Sequence, residues 1–268
     1  MKVSRNVTFY GPWAVVTGAS SGIGRAMALR LAASGFRIVL VARRRDRLED
    51  VEGLARENGA PETRVVPLDL AQEEASLALQ AACEDLDVGL LVAAAGFGTS
   101  GPFLRADLEA ECEMLDVNAR AVLVQTHHFL QRFTSRPRAG VILFASLVGY
   151  QGTPFAAHYA ATKAYIQALG EGLHRELASQ GIDVLVVAPG PVSTEFERRA
   201  DLRLGNAMTA DAVAREVIPA LGKKMTVWPG AMTKFLLGSL SLLPRWGRVK
   251  VMEGVMGGMT KHQTLAEG

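Results

Sequence analysis

Seven short apolar runs recur along the chain, and they constrain its fold more than any other feature. They read "WAVVT", "FRIVLVA", "RVVPLD", "VGLLVAAA", "GVILFAS", "DVLVVAP" and "MTVWP". Strands buried on both faces lose the polar alternation of a half-exposed sheet and read as continuous apolar stretches. Amphipathic segments separate the runs and predict helices over Gly22–Ala33, Arg47–Glu57, Gln72–Glu84, Leu108–Phe133, Pro154–Ser179 and Asp211–Leu221. Strand and helix in alternation imply parallel pairing through right-handed crossovers. The expected architecture is therefore α/β, a single-domain, doubly wound parallel sheet of about seven strands with helices on both faces. Ligands of such sheets bind at the carboxyl ends of the strands, so the chemistry is sought there.

At 268 residues the chain is long enough for one substantial core. A net charge of +2 gives no general attraction to nucleic acid. Cys83 and Cys112 have neither the density of a disulfide framework nor the pairing of a zinc site, which fits a reducing, cytoplasmic compartment. The start, "MKVSRNVTFYGPW", lacks the apolar stretch of a secretory signal. The late run "FLLGSLSLL" falls short of the roughly 18 to 20 residues that span a bilayer.

The first apolar run ends in "TGASSGIGRAMALRLA". Glycines at a strand-to-helix turn let a ligand lie against the backbone, and the new helix offers unpaired N–H donors that suit phosphate. Gly18, Gly22 and Gly24 permit the approach, Ile23 lies between the last two, and Ser20 and Ser21 supply hydroxyls. The second run closes at Ala42 without a carboxylate, and Arg43 and Arg44 follow. A guanidinium there can grip a ribose 2′-phosphate through forked, charge-assisted hydrogen bonds. Arg45 and Arg47 read instead as solvated first turns of the next helix, with Asp46 as N-cap. Farther on, "YAATK" sets Tyr159 and Lys163 on one helical face, four residues apart, and Ser146 follows the run "VILFA". His127, His128 and His158 read as structural: the first two are adjacent and cannot face one point, and the third is expected to point away from Tyr159. No metal site is expected.

The TGxxxGxG turn together with the YxxxK pair resembles the short-chain dehydrogenase/reductase family, over roughly residues 13–228. The resemblance implies a Rossmann fold with Asn118, Ser146, Tyr159 and Lys163 as a catalytic tetrad. It also implies that Asp69, with Leu70 beside it, contacts adenine, and that Ala95 and Gly96 border that ring in an AAAG stretch where the family reads NNAG. Pro189, Gly190, Val192 and Thr194 are implied nicotinamide contacts, and Lys163 an implied ribose contact. Hydride is expected to leave from the pro-S side. Tyr159 is the expected proton donor, with Lys163 and the positive nicotinamide of the oxidised cofactor lowering its pKa, Ser146 bonding the carbonyl oxygen, and Asn118 holding a water that links Lys163 to solvent.

The expected activity is NADP(H)-dependent reduction of a carbonyl, with NADP(H) preferred over NAD(H), on a hydrophobic ketone or acyl-chain carbonyl. A sensor that binds NADP(H) with little turnover is the alternative, and an intact proton relay speaks against it. An extended-branch epimerase needs a larger C-terminal lobe than this chain has. The family also implies a homodimer or homotetramer. Residues 1–228 are expected to carry cofactor and chemistry, and 229–268 to form an apolar, basic extension acting as lid or oligomer contact. A seat for that extension on a membrane surface is the less favoured reading.

Overall fold

The computed structural model describes residues 5–203, 205 and 207–265. After a short helix α1 (Arg5–Tyr10), six strands carry most of the sheet: β1 (Trp13–Thr17), β2 (Arg37–Ala42), β3 (Thr63–Pro67), β4 (Val88–Ala93), β5 (Ala139–Phe144) and β6 (Ile182–Val187). The seventh, β9 (Thr226–Val227), is only two residues long, shorter than the run "MTVWP" predicts. Sheet order is β3-β2-β1-β4-β5-β6-β9, and every pairing is parallel. The winding reverses between β1 and β4, and such a switch point opens a crevice at the carboxyl ends.

Alternate residues of the strands feed two cores. Ala14, Val16, Ile38, Leu40 and Val92 face one layer, where α2 (Gly22–Ala33), α3 (Arg45–Glu57) and α9 (Ala210–Val217) contribute Met27, Leu31, Leu48 and Val213. Val15, Val39, Leu91 and Val141 face the other, against Leu79 of α4 (Ala75–Ala82), Phe129 of α6 (Ala121–Phe133) and Ile166 of α7 (Ala157–Glu176). Burial on both sides is why these strands read as unbroken apolar runs.

Three expectations need correction. The helix expected over Leu108–Phe133 is α5 (Leu108–Leu115), a π-helical turn Asp116–Arg120, and then α6. Helix α3 starts at Arg45 with Arg44 as N-cap, so Asp46 lies within its first turn, where a carboxylate favours the dipole without capping the helix. Helix α7 begins at Ala157 because Phe155, with φ of 62°, and Ala156 are not helical. After β6 come β7 (Val192–Ser193), α8 (Glu195–Arg199) and β8 (Met208–Thr209), with β7 and β8 paired in a small parallel ribbon. The chain ends in α10 (Ala231–Ser241), α11 (Arg245–Met259) and α12 (Lys261–Leu265). Cys83 is a buried free thiol and Cys112 an exposed one.

Candidate active site

A cavity of about 810 Å³ opens at the carboxyl ends of the strands, and the residues singled out by sequence surround it. At one end, β1 turns into α2. Gly18 has φ of +67°, and a Cβ there would lie 2.8 Å from the Ala94 carbonyl oxygen. At Gly24 a Cβ would lie 2.3 Å from the Gly18 carbonyl oxygen, so only glycine lets strand and helix meet this closely. Ser21, with extended backbone, precedes the helix, and the Thr17 hydroxyl accepts from the Ala95 N–H at 3.1 Å, tying the turn to the end of β4. Gly18, Ser20, Ser21, Gly22, Ile23 and Gly24 line the cavity. A bare backbone at a helix N-terminus, flanked by hydroxyls, is a cradle for phosphate.

Arg43, Arg44, Asp69, Leu70, Ala95 and Gly96 line the same end. Arg43 donates to Glu113 at 3.0 Å and lies 4.0 Å from Asp69, whose carboxylate also accepts from the Ala71 N–H at 3.2 Å. Arg44 and Arg47 converge on Glu195, at 2.9 and 3.2 Å. The hydrogen bond from Arg44 leads the causes that hold the Glu195 carboxyl below the ordinary carboxylate range. Arg47, which the sequence places on a solvated first turn, lines the cavity instead, held there by Glu195 of α8. Glu113 also accepts from Arg199 at 3.0 Å, whose guanidinium lies 3.3 Å from the Phe97 ring centroid. Glu113, Glu195, Arg199 and Phe97 escaped the sequence reading because their partners stand far away along the chain.

Along one flank the cavity meets Ser146, Tyr159 and Lys163. Ser146 follows β5, and its hydroxyl oxygen accepts from the Val148 N–H at 3.4 Å. Tyr159 and Lys163 share the first turns of α7, with the Lys163 ammonium 5.7 Å from the Tyr159 ring centroid. Lys163 is buried and donates to the Phe144 carbonyl at 3.0 Å. Burial lowers its pKa to about 8. Burial also raises the Tyr159 phenol to about 12, with a hydrogen bond from Ser146 as the smaller, opposing cause. Among the chain's own groups, desolvation outweighs the hydrogen bond from Ser146, so the phenol is raised. Phe196, which the sequence did not single out, packs its ring 5.3 Å from that of Tyr159.

Asn118 sits in the π turn and is 1% exposed. Its amide donates to the Phe97 carbonyl at 2.8 Å and to the Thr162 hydroxyl at 3.2 Å, and its oxygen accepts from the Phe97 N–H at 3.0 Å. It therefore staples the loop after β4 to α7, one residue from Lys163. A π turn widens the helix and re-aims a side chain, a frequent device at functional sites. Opposite, Pro189, Gly190, Val192 and Thr194 line the cavity after β6, and Thr194 caps α8 by accepting from the Phe196 N–H at 3.2 Å. His158 points away from the cavity to Glu111, 2.6 Å distant. Among the described residues no group of three or more His, Cys, Asp and Glu side chains could hold a metal ion.

The far end is apolar. Leu236 and Leu240 of α10 and Met252, Val255, Met256 and Met259 of α11 face Val148, Ala156 and Leu202. Leu240, Met252 and Met256 are buried there against Ala156, with Phe155 and Tyr159 alongside. The C-terminal helices are fastened by backbone and side chain: Arg203 N–H donates to the Met259 carbonyl at 3.1 Å, and Gln263 donates to the Asp201 carbonyl at 2.7 Å.

Comparison with known proteins agrees with this geometry. A family model described as short chain dehydrogenase matches residues 12–204. The 7beta-hydroxysteroid dehydrogenase of Clostridium sardiniense is 34% identical over 229 residues, covering 84% of this chain and 88% of that protein. A solved 7beta-hydroxysteroid dehydrogenase superposes with a TM-score of 0.85 at 29% identity, covering 92% of this chain and 98% of the other. A short-chain dehydrogenase from Sphingobium yanoikuyae, solved in complex with NADPH, gives 0.76 at 27% identity, covering 88% and 97%. The fold, the glycine turn and the matched span together make the chain a member of the short-chain dehydrogenase family, oxidoreductases that bind a nicotinamide cofactor and interconvert alcohols and carbonyls.

Proposed function

We propose that the chain is an NADP(H)-dependent reductase of a bulky, hydrophobic ketone or acyl-chain carbonyl. The observation that carries the proposal is one cavity with three chemically distinct regions: a phosphate cradle with arginines, a hydroxyl–phenol–ammonium flank, and an apolar end. The fit to a phosphorylated dinucleotide rests on the backbone cradle at Gly18 and Gly24 and on three guanidiniums within reach. Arg43 and Arg44 would hold a ribose 2′-phosphate, with Arg47 beside them. Asp69, Leu70, Ala95 and Gly96 would border the adenine, and Pro189, Gly190, Val192 and Thr194 the nicotinamide. The similar protein solved with NADPH supports that choice of cofactor.

When bound, the reduced nicotinamide supplies hydride to the carbonyl carbon. Tyr159 gives the oxygen its proton: a phenol near 12 is fully protonated at neutral pH and is a competent donor to an alkoxide. Ser146 donates a hydrogen bond to the same oxygen as negative charge develops. Lys163, still mostly protonated at neutral pH, stabilises the phenolate left behind and returns a proton to it. Asn118 fixes the loop and helix that set these groups, and the Asn118–Thr162 contact holds α7 one residue from Lys163. Helices α10 and α11 cover the reacting carbonyl with Leu and Met side chains that exclude water and accept a large apolar body. A second copy of the chain is the proposed partner, across exposed Leu108, Leu115, Leu123 and Tyr165 of α5, α6 and α7.

Tyr159→Phe tests the assignment. NADPH consumption with a panel of bulky ketones should fall by about 10² to 10⁴-fold, while NADPH binding followed by fluorescence persists. Unchanged turnover in that variant refutes the role of Tyr159.

A further inference from the structure

Helices α10 and α11 have two unlike sides. Their inner residues wall the cavity, yet the connection between them and the helix ends beside it are exposed at six consecutive positions, Ser241–Trp246. Four of the six are apolar, and exposure reaches 86% at Leu242 and 76% at Trp246. Phe235 at 68% and Met232 at 61% extend the apolar surface along α10. Scattered single hydrophobes on a surface are ordinary; a contiguous set on a protruding turn is a docking feature. The turn is also held in shape, since Arg248 donates to the Leu243 carbonyl at 2.9 Å and the Ser241 carbonyl at 3.2 Å, bridging the two helices.

Charge selects the partner. Between Ala231 and Gln263 the chain carries Lys234, Arg245, Arg248, Lys250 and Lys261 against one carboxylate, Glu253, although the whole protein has a net charge of only +2. Lys250 pairs with Glu253 at 2.8 Å and Lys234 with Glu216 at 3.1 Å, exposed contacts that a lipid phosphate can displace. Apolar side chains flanked by cations match the boundary of an anionic bilayer, where acyl chains receive the first and headgroups the second. Trp is suited to that depth, with an apolar ring and a polar N–H. Val251 and Val255 are both 43% exposed and line the cavity, so its apolar end opens beside this turn.

We infer that the α10–α11 turn docks on membranes rich in anionic lipid, with Leu242, Leu243 and Trp246 entering the interface and Arg245 and Lys250 meeting headgroups. The consequence, that the apolar end of the cavity then receives carbonyl compounds dissolved in the bilayer, rests on the reductase reading; the docking does not.

Co-sedimentation with vesicles tests the docking on the full chain without cofactor or ketone. The protein should pellet with vesicles of equimolar phosphatidylcholine and phosphatidylglycerol, pellet poorly with phosphatidylcholine alone, and be released by high salt. Leu242→Asp combined with Trp246→Ala should lower the partition by about tenfold or more, and Arg245→Gln and Lys250→Gln by about fivefold each. All of these variants should keep the wild-type circular dichroism spectrum and thermal midpoint, which shows that they are folded. Tyr159→Phe should bind vesicles like wild type, so a failed reductase assignment leaves this result standing. Equal binding to both vesicle types, no binding, or an unchanged partition in the Leu242/Trp246 variant overturns the inference. So does lipid-free self-association abolished by that variant, which would make the turn a contact between copies of this chain.

Discussion

Lys163 shows at the residue scale how a site costs stability. Its amine is buried and its pKa falls from an ordinary 10.5 to about 8, so keeping it charged at neutral pH costs about 3 kcal/mol. Between about pH 8 and 10.5 the unfolded chain binds more protons than the folded one, so this residue makes stability rise with pH across that window. Lys163→Met should therefore be inactive yet more stable at pH 7, by about 2 kcal/mol once the lost bond to the Phe144 carbonyl is subtracted. Denaturant midpoints should show the gain shrinking as pH approaches 10. In the wild type, kcat/KM for reduction should fall above about pH 8 as the ammonium is lost. The residue types were legible in sequence because Tyr159 and Lys163 are helical neighbours and Ser146 ends an apolar run. The direction of their pKa shifts was not, since desolvation depends on what covers α7.

At the scale of elements, the strand-to-helix turn was readable because its constraint is local: three glycines within seven residues have few other uses at that place. The π turn carrying Asn118 was invisible, since its amide is engaged by Phe97 and Thr162, which lie 21 and 44 positions away. The α10–α11 pair read as apolar and basic, but which side chains turn inward is decided by packing against Ala156 and Leu202. Met252 is 5% exposed in that packing. Met252→Ala should raise KM for a bulky hydrophobic ketone by about tenfold or more and leave a small ketone nearly unaffected, because only the large substrate fills that end. Steady-state kinetics on a chain-length series checks this.

For the whole molecule, the arginines of the cradle are already partnered. Glu195 at the start of α8 holds Arg44 and Arg47 of the α3 start across 151 and 148 positions, and Glu113 holds Arg43 across 70. These pairs are at the surface, where each is worth about 0 to 1 kcal/mol, so a doubly charged phosphate can displace them. Glu195→Gln should tighten NADPH binding by up to about fivefold by freeing Arg44 and Arg47, and shift NADH binding less. Titration of cofactor fluorescence measures both. Equal changes for the two cofactors would separate these arginines from the 2′-phosphate.

What the sequence determined by itself is whatever short-range spacing encodes: the order of strands and helices, the glycine turn, and the phenol–ammonium pair on one helical face. Those features follow from backbone period and sterics within a few residues. Tertiary structure alone decided which glutamates meet which arginines, how Asn118 staples two elements, and that the last helices wall a cavity inside while exposing Leu242 and Trp246 outside. Each of these depends on chain segments brought together only when the sheet has closed its core.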